Sequence, residues 1–222
     1  MLFRSHTPQP EARLVTGVKR DISLLERLPD VAGCDITVLD ISLDRNRPAL
    51  ERLLAAGNRV FYADHHYSGA VPGSEALETH LDPSPHTCTS LIVDRLLAGK
   101  HRPWAIAGAF GDNLDEVALE CARAFGLSES DTETLKEIGQ LLNYNGYGIL
   151  ESDLLIHPAD LYREVRRYAD PWTFHRGSEM PARLRRGYDN DMAQAAGLAA
   201  YATFAGGRVF LATPHYTDFS SF

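Results

Sequence analysis

Three stretches of the chain carry side chains suited to holding a divalent cation beside a phosphoryl group: Asp40, the tripeptide Asp64-His65-His66, and Asp112. Carboxylates and neutral imidazoles together form the mixed oxygen and nitrogen donor set that Mn2+ or Mg2+ accepts. Within the tripeptide, the carboxylate can instead orient a neighbouring imidazole. The remaining histidine can then protonate, or hydrogen-bond to, a phosphoryl oxygen. At average residue usage such a tripeptide turns up by chance in fewer than about one in a hundred chains of this length. Each residue also has a plainer reading. Asp40 can be a turn residue at a strand end, the tripeptide a turn with two exposed histidines, and Asp112 a polar turn with Gly111 and Asn113. Asp112 nevertheless stands out, because it follows the apolar run Ala105-Ile-Ala-Gly-Ala-Phe110. A carboxylate at the C-terminal end of a helix opposes the helix dipole, and a bound cation removes that conflict.

The elements that must position these residues read as α/β. Residues 12–18 form an expected first strand, and Asp21 an expected cap for a helix over 22–28. Residues 36–39, apolar and β-branched, form a second strand that runs into Asp40. A helix starts at Asn46 or Arg47 with Pro48 in its first turn and closes at Gly57. Residues 59–63 form a third strand and run into Asp64. Strand and helix alternating with short connectors predict parallel βαβ units. Ligands of such sheets bind outside the carboxyl ends of the strands. Asp40 and Asp64, 24 residues apart, should therefore face one crevice.

Beyond residue 70 the pattern is helical. Helices are expected over 89–97 with Thr87 as cap, 104–110 with Pro103 in the first turn, 114–125, 132–142 and 159–168. Residues 143–148 are a turn cluster, and Asp170-Pro171 a break. Residues 171–188 read as a basic, irregular linker. A helix over 192–204 and a strand over 208–212 close the pattern, and the tail 213–222 has no periodicity.

The 222 residues are 44% hydrophobic and 23% charged, which suits one substantial domain with a smaller appendage. No apolar stretch is long enough to cross a bilayer. The N-terminus has no secretory h-region, so a cytoplasmic setting is expected. Cys34, Cys88 and Cys121 show no metal-ligand spacing and are expected as buried free thiols. A net charge of −8 disfavours duplex nucleic acid as a partner. The start of the 89–97 helix, beside His86, can present backbone N–H groups to phosphate, although capping is the plainer role. Arg163, Arg166 and Arg167 read as a solvated helix face. Trp104 and Trp172 read as packing residues rather than base-stacking platforms.

Asp40, Asp64-His65-His66 and Gly108-Ala-Phe-Gly-Asp112, in this order and at these spacings, resemble the DHH phosphoesterase superfamily. That group includes RecJ-like exonucleases, oligoribonucleases, cyclic-dinucleotide phosphodiesterases and family II pyrophosphatases. The resemblance covers roughly residues 12–205. It implies a Rossmann-like parallel sheet over 12–150, a helical linker over 151–190, and the start of a smaller C-terminal domain over 191–222. It implies a two-metal hydrolase dependent on Mn2+ (or Mg2+), in which Asp40 bridges the ions and His65 and Asp112 complete one coordination shell. Asp64 supports the site and His66 contacts the scissile phosphate. The implied substrate is a short oligonucleotide or another phosphodiester, and a homodimer is compatible with this. The family's upstream Asp-rich motif has no counterpart in residues 1–11, and the C-terminal domain is expected to be cut short. The three ligands are therefore expected to form a half-site. Two further readings stay open: a non-catalytic metal- or nucleotide-binding module, and a pyrophosphate or polyphosphate hydrolase.

Overall fold

Alternation along the strands decides the architecture. In a computed structural model that describes residues 12–199, 203–205 and 208–210, β1 (Asp35–Leu39) and β2 (Arg59–Asp64) lie parallel, with Leu39 opposite Ala63. β3 (Leu77–Leu81) adds to β2 in parallel, with Leu81 opposite Asp64, so the order is β1-β2-β3. Val60 and Tyr62 point to one face, where they pack with Leu25, Val38, Leu43, Leu50 and Leu53. Phe61 and Ala63 point to the other, packing with Ile92, Ala105, Ile106 and Phe110. Both faces are thus covered, as a parallel sheet requires. Helix α1 (Leu43–Ala55) makes the crossover from β1 to β2. Helices α2 (Thr89–Leu96), α3 (Arg102–Gly111), α4 (Asp115–Phe125) and α5 (Glu129–Tyr144) follow β3. Helices α6 (Pro158–Val165), α7 (Pro171–Gly177) and α8 (Met180–Ala199) come next. A two-stranded antiparallel pair, β4 (Thr203–Ala205) and β5 (Arg208–Phe210), follows them.

The α/β class and its parallel sheet therefore stand, while several elements differ from expectation. Residues 12–18 form no regular element and pair with no strand among the described residues. The helix expected over 22–28 contracts to a 3-10 turn, Leu24–Arg27. Asp21 does not cap it; its carboxylate accepts from the Val18 N–H at 3.0 Å and pairs with Arg27 at 2.8 Å. α1 begins at Leu43, so Pro48 lies inside the helix instead of in its first turn. Asn46 is no cap either. It is fully buried, donating to Ile22 O and Ser42 O and accepting from Leu25 N, and so ties the 3-10 turn to α1.

β3 was not expected, because Glu78 and His80 break its apolar character, and an edge strand tolerates that. The linker expected over 171–188 is helical. Asp170-Pro171 starts α7: the Asp170 carboxylate accepts from Thr173 N at 2.8 Å, and Pro171 occupies the first turn. Phe174 and Leu184 are buried in the main core, so this stretch packs as part of the fold. The helix expected over 192–204 starts at Met180, and residues 203 and 204 belong to β4; residues 200–202 lie outside the described residues. Residues 208–210 form the expected final strand, while residues 211–222 and 1–11 lie outside the described residues. Trp104 and Trp172 pack against the core as expected. Of the three thiols only Cys88 is buried; Cys34 is exposed and Cys121 half-buried. No described helix is long and apolar enough to cross a membrane.

Candidate metal centre

Parallel pairing sets the ends of β1 and β2 side by side and brings Asp40, Asp64, His65 and His66 to one sheet edge. Asp40 leaves β1 in the left-handed region, at φ 64°, with its N–H donating to Ala63 O at 3.1 Å. That conformation costs an L-residue roughly 1–2 kcal/mol, although Asp tolerates it better than most. It turns the carboxylate toward the first turn of α2, where Thr89 Oγ1 donates to Asp40 Oδ1 at 2.7 Å. α2 thus supports the site through a side chain. Thr87 does not cap it, since Cys88 is the N-cap residue and makes no side-chain capping bond.

Hydrogen bonding decides which nitrogen of His65 is available. Nδ1 lies 3.2 Å from Thr87 O, and a carbonyl can only accept, so Nδ1 carries the hydrogen. Nε2 then presents a lone pair in the neutral ring. It faces Asp40 Oδ1 and Asp112 Oδ2, each at 3.5 Å. A lone pair facing two carboxylate oxygens calls for a positive charge beside it, either a proton on the imidazole or a metal ion. Ligand atoms about 2.0–2.2 Å from one ion lie roughly 3–3.5 Å apart, so each of the two separations from His65 Nε2 suits a pair of ligands to one ion.

Asp112 caps α3 at its C-terminal end. Burial, reinforced by Asp40, pushes its carboxyl above the ordinary carboxylate range, while His65, Lys19 and His66 oppose the shift. Burial thus makes the charged form less favourable than in water, a cost that a cation beside it would offset.

Asp64 is fully buried and accepts from His66 Nδ1 at 2.7 Å, which leaves His66 Nε2 with the free lone pair. Its second oxygen, Oδ2, is buried without a partner, as suits a carboxylate working beside a positive charge. Next to it, Tyr62 donates to Ile41 O at 2.7 Å, and burial together with the Asp64 charge pushes its hydroxyl far up, so it stays protonated. Asp40, His65 and His66 each offer a ligand atom within 4.8 Å of the others. His66 thus joins the group of donors, where sequence reasoning gave it contact with phosphate, and Asp112 stands against His65. Cys88 also neighbours the carboxylates, but burial pushes its thiol up, so it offers no thiolate.

Sequence reasoning missed Thr89 and the Thr87 carbonyl, which hold Asp40 and His65. Asp64→Asn tests the support given to His66. The neutral amide accepts a weaker hydrogen bond, and Mn2+ affinity measured by calorimetry is expected to fall about 10–100-fold, with the circular dichroism spectrum unchanged. Unaltered affinity and unaltered turnover would show that Asp64 orients nothing.

Comparison of the chain with protein-family models, with curated proteins and with solved structures returned no match.

Proposed function

We propose that the chain is a divalent-metal-dependent phosphoesterase of the DHH kind, hydrolysing phosphodiester bonds in short oligonucleotides or cyclic dinucleotides. One observation carries this reading: Asp40 and Asp112, separated by 72 residues of sequence, converge on His65 Nε2. Asp40, His65 and either His66 or Asp112 would hold Mn2+ or Mg2+. Such an ion supplies a Lewis acid for a phosphoryl oxygen and lowers the pKa of a bound water.

The chain's own residues do the rest. Thr89 and the Thr87 carbonyl fix the carboxylate of Asp40 and the ring of His65 before any ligand arrives. Asp64 fixes His66 by one short hydrogen bond, while the His66 side chain keeps 49% of its surface exposed, so a ligand can reach its outer nitrogen. Where Asp112 rather than His66 completes the ion's ligands, the free Nε2 of His66 can take a proton from a water and then pass it to a leaving oxygen. Hydrolysis of the dinucleotide pApA should require Mn2+ and should disappear in Asp40→Ala. Equal rates in the two proteins sink the proposal.

A second reading, a non-catalytic metal- or nucleotide-binding module, is favoured by a different observation. Among the described residues one group of ligands is close enough to share an ion, whereas two-metal hydrolysis needs two ions. It predicts Mn2+ binding without turnover, and measurable turnover rejects it.

A further inference from the structure

Lys19 sits at the tip of a tight turn. The Asp21 N–H donates to Val18 O at 2.9 Å, and the Asp21 carboxylate accepts from Val18 N at 3.0 Å, which closes the turn from both sides. The tip docks on the loop that follows α5. Lys19 N–H donates to Gly146 O at 2.8 Å, and Lys19 Nζ donates to Asn143 Oδ1 at 2.7 Å and to the Tyr147 hydroxyl at 3.2 Å. The ammonium also lies 4.9 Å from the centre of the Tyr147 ring. An exposed lysine left to solvent keeps its rotamer freedom, and this one has given it up.

The helices decide where that ammonium is held. α5 crosses α3 with backbone against backbone: a Cβ on Gly111 would stand 2.8 Å from Gly139 O. Gly111 immediately precedes Asp112. Asn143 lies one helical turn past Gly139, about 6 Å along α5. The residue that grips Lys19 therefore stands beside the end of α3 that carries Asp112, and the positive charge of Lys19 is felt at the Asp112 carboxyl. An ammonium has three N–H donors. Two are engaged by Asn143 and Tyr147, leaving one without a partner among the described residues.

We infer that Lys19 is a substrate-binding residue: its ammonium donates to a non-bridging phosphoryl oxygen of a ligand held at the Asp40–His65–Asp112 edge. This rests on the phosphoesterase reading and adds to it a fixed cation outside the ion's own ligands. The role suits a lysine, which serves as a point charge for phosphate and needs no bidentate geometry. Asn143 and Tyr147 hold the ammonium in one place.

Calorimetry on the full chain, with Mn2+ first and then pApA, tests this. In Lys19→Met the Mn2+ Kd should stay within about twofold of wild type, while the pApA Kd should rise about tenfold or more, the loss of one charge-assisted hydrogen bond. Lys19→Arg should recover most of the affinity. Tyr147→Phe, which keeps the ring and the charge and removes one anchor, should weaken pApA by about two- to threefold. If Lys19→Met lowers the melting temperature yet binds Mn2+ and pApA as wild type does, Lys19 is only a tie between the turn and the loop, and the inference falls while the metal reading stands. If the wild-type chain binds no Mn2+, the metal reading and the inference fall together.

Discussion

His65→Ala is expected to reduce Mn2+ affinity by more than about 100-fold, beyond the 10–100-fold typical of residues that only orient a ligand, and to remove Mn2+-dependent turnover of pApA. The size follows from the position of the ring. Its Nε2 is the atom on which Asp40 and Asp112 converge, at 3.5 Å each. Without it the two carboxylates lose their common neighbour, and Asp112 loses the largest of the charge effects that favour its ionised form. The fold should survive, because the side chain's other bond, to Thr87 O, contributes about 1 kcal/mol. Thermal denaturation separates the two effects. Saturating Mn2+ at about 100 times its Kd should stabilise wild type by about 2.7 kcal/mol, and the same Mn2+ concentration should stabilise His65→Ala by no more than about 0.4 kcal/mol. A variant whose melting temperature rises with Mn2+ as wild type does would remove His65 from the site.

How much of this was legible in the chain depended on whether the signal was local. β1, with Ile36, Thr37 and Val38, and β2, with Val60, Phe61 and Tyr62, are short strand-forming runs separated by one helix, and this pattern alone implies parallel pairing. Parallel pairing in turn brings Asp40 and Asp64 to the same edge, so half of the candidate site followed from strand periodicity. Asp112 was legible for a different reason, as a carboxylate at the wrong end of an apolar helix. Non-local support was not legible. Thr89 reaches Asp40 across 49 residues and Lys19 reaches Asn143 across 124, and no periodicity marks either pair. β3 was hidden because an edge strand need not be apolar, and α7 because Asp followed by Pro marks a helix start as readily as a chain break. Residues 12–18 show the converse error. Their apolar, β-branched character suits a strand, yet the segment is held by side chains and a turn: Thr16 Oγ1 donates to Glu151 at 2.8 Å, and the turn at Lys19 docks on the loop after α5.

Gly139→Ala is expected to destabilise the protein by about 2 kcal/mol net, although alanine is intrinsically the better helix former by about 1 kcal/mol. Gly139 lies inside α5 and faces α3, and a Cβ there would overlap the carbonyl oxygen of Ala107 and stand 2.8 Å from Gly111 N. Both atoms are backbone, so no side-chain tip can swing aside. Relief requires lifting α5 off α3, which loosens Leu135, Ile138 and Leu141, all buried in the core below. That loss outweighs the gain in helix propensity. A chain of this length should melt about 4–8 °C lower. Gly126→Ala is the control: Gly126 caps α4 at φ 78° with no atom within 4 Å of the added Cβ, so only the backbone conformation opposes it, at about 1 kcal/mol. The two variants should also differ at the metal centre. Asp112 follows Gly111 directly, so displacing α5 from α3 should weaken Mn2+ binding in Gly139→Ala and leave it unchanged in Gly126→Ala. If Gly139→Ala is as stable as Gly126→Ala and binds Mn2+ equally well, then the close crossing of α3 and α5 does not hold Asp112 in place.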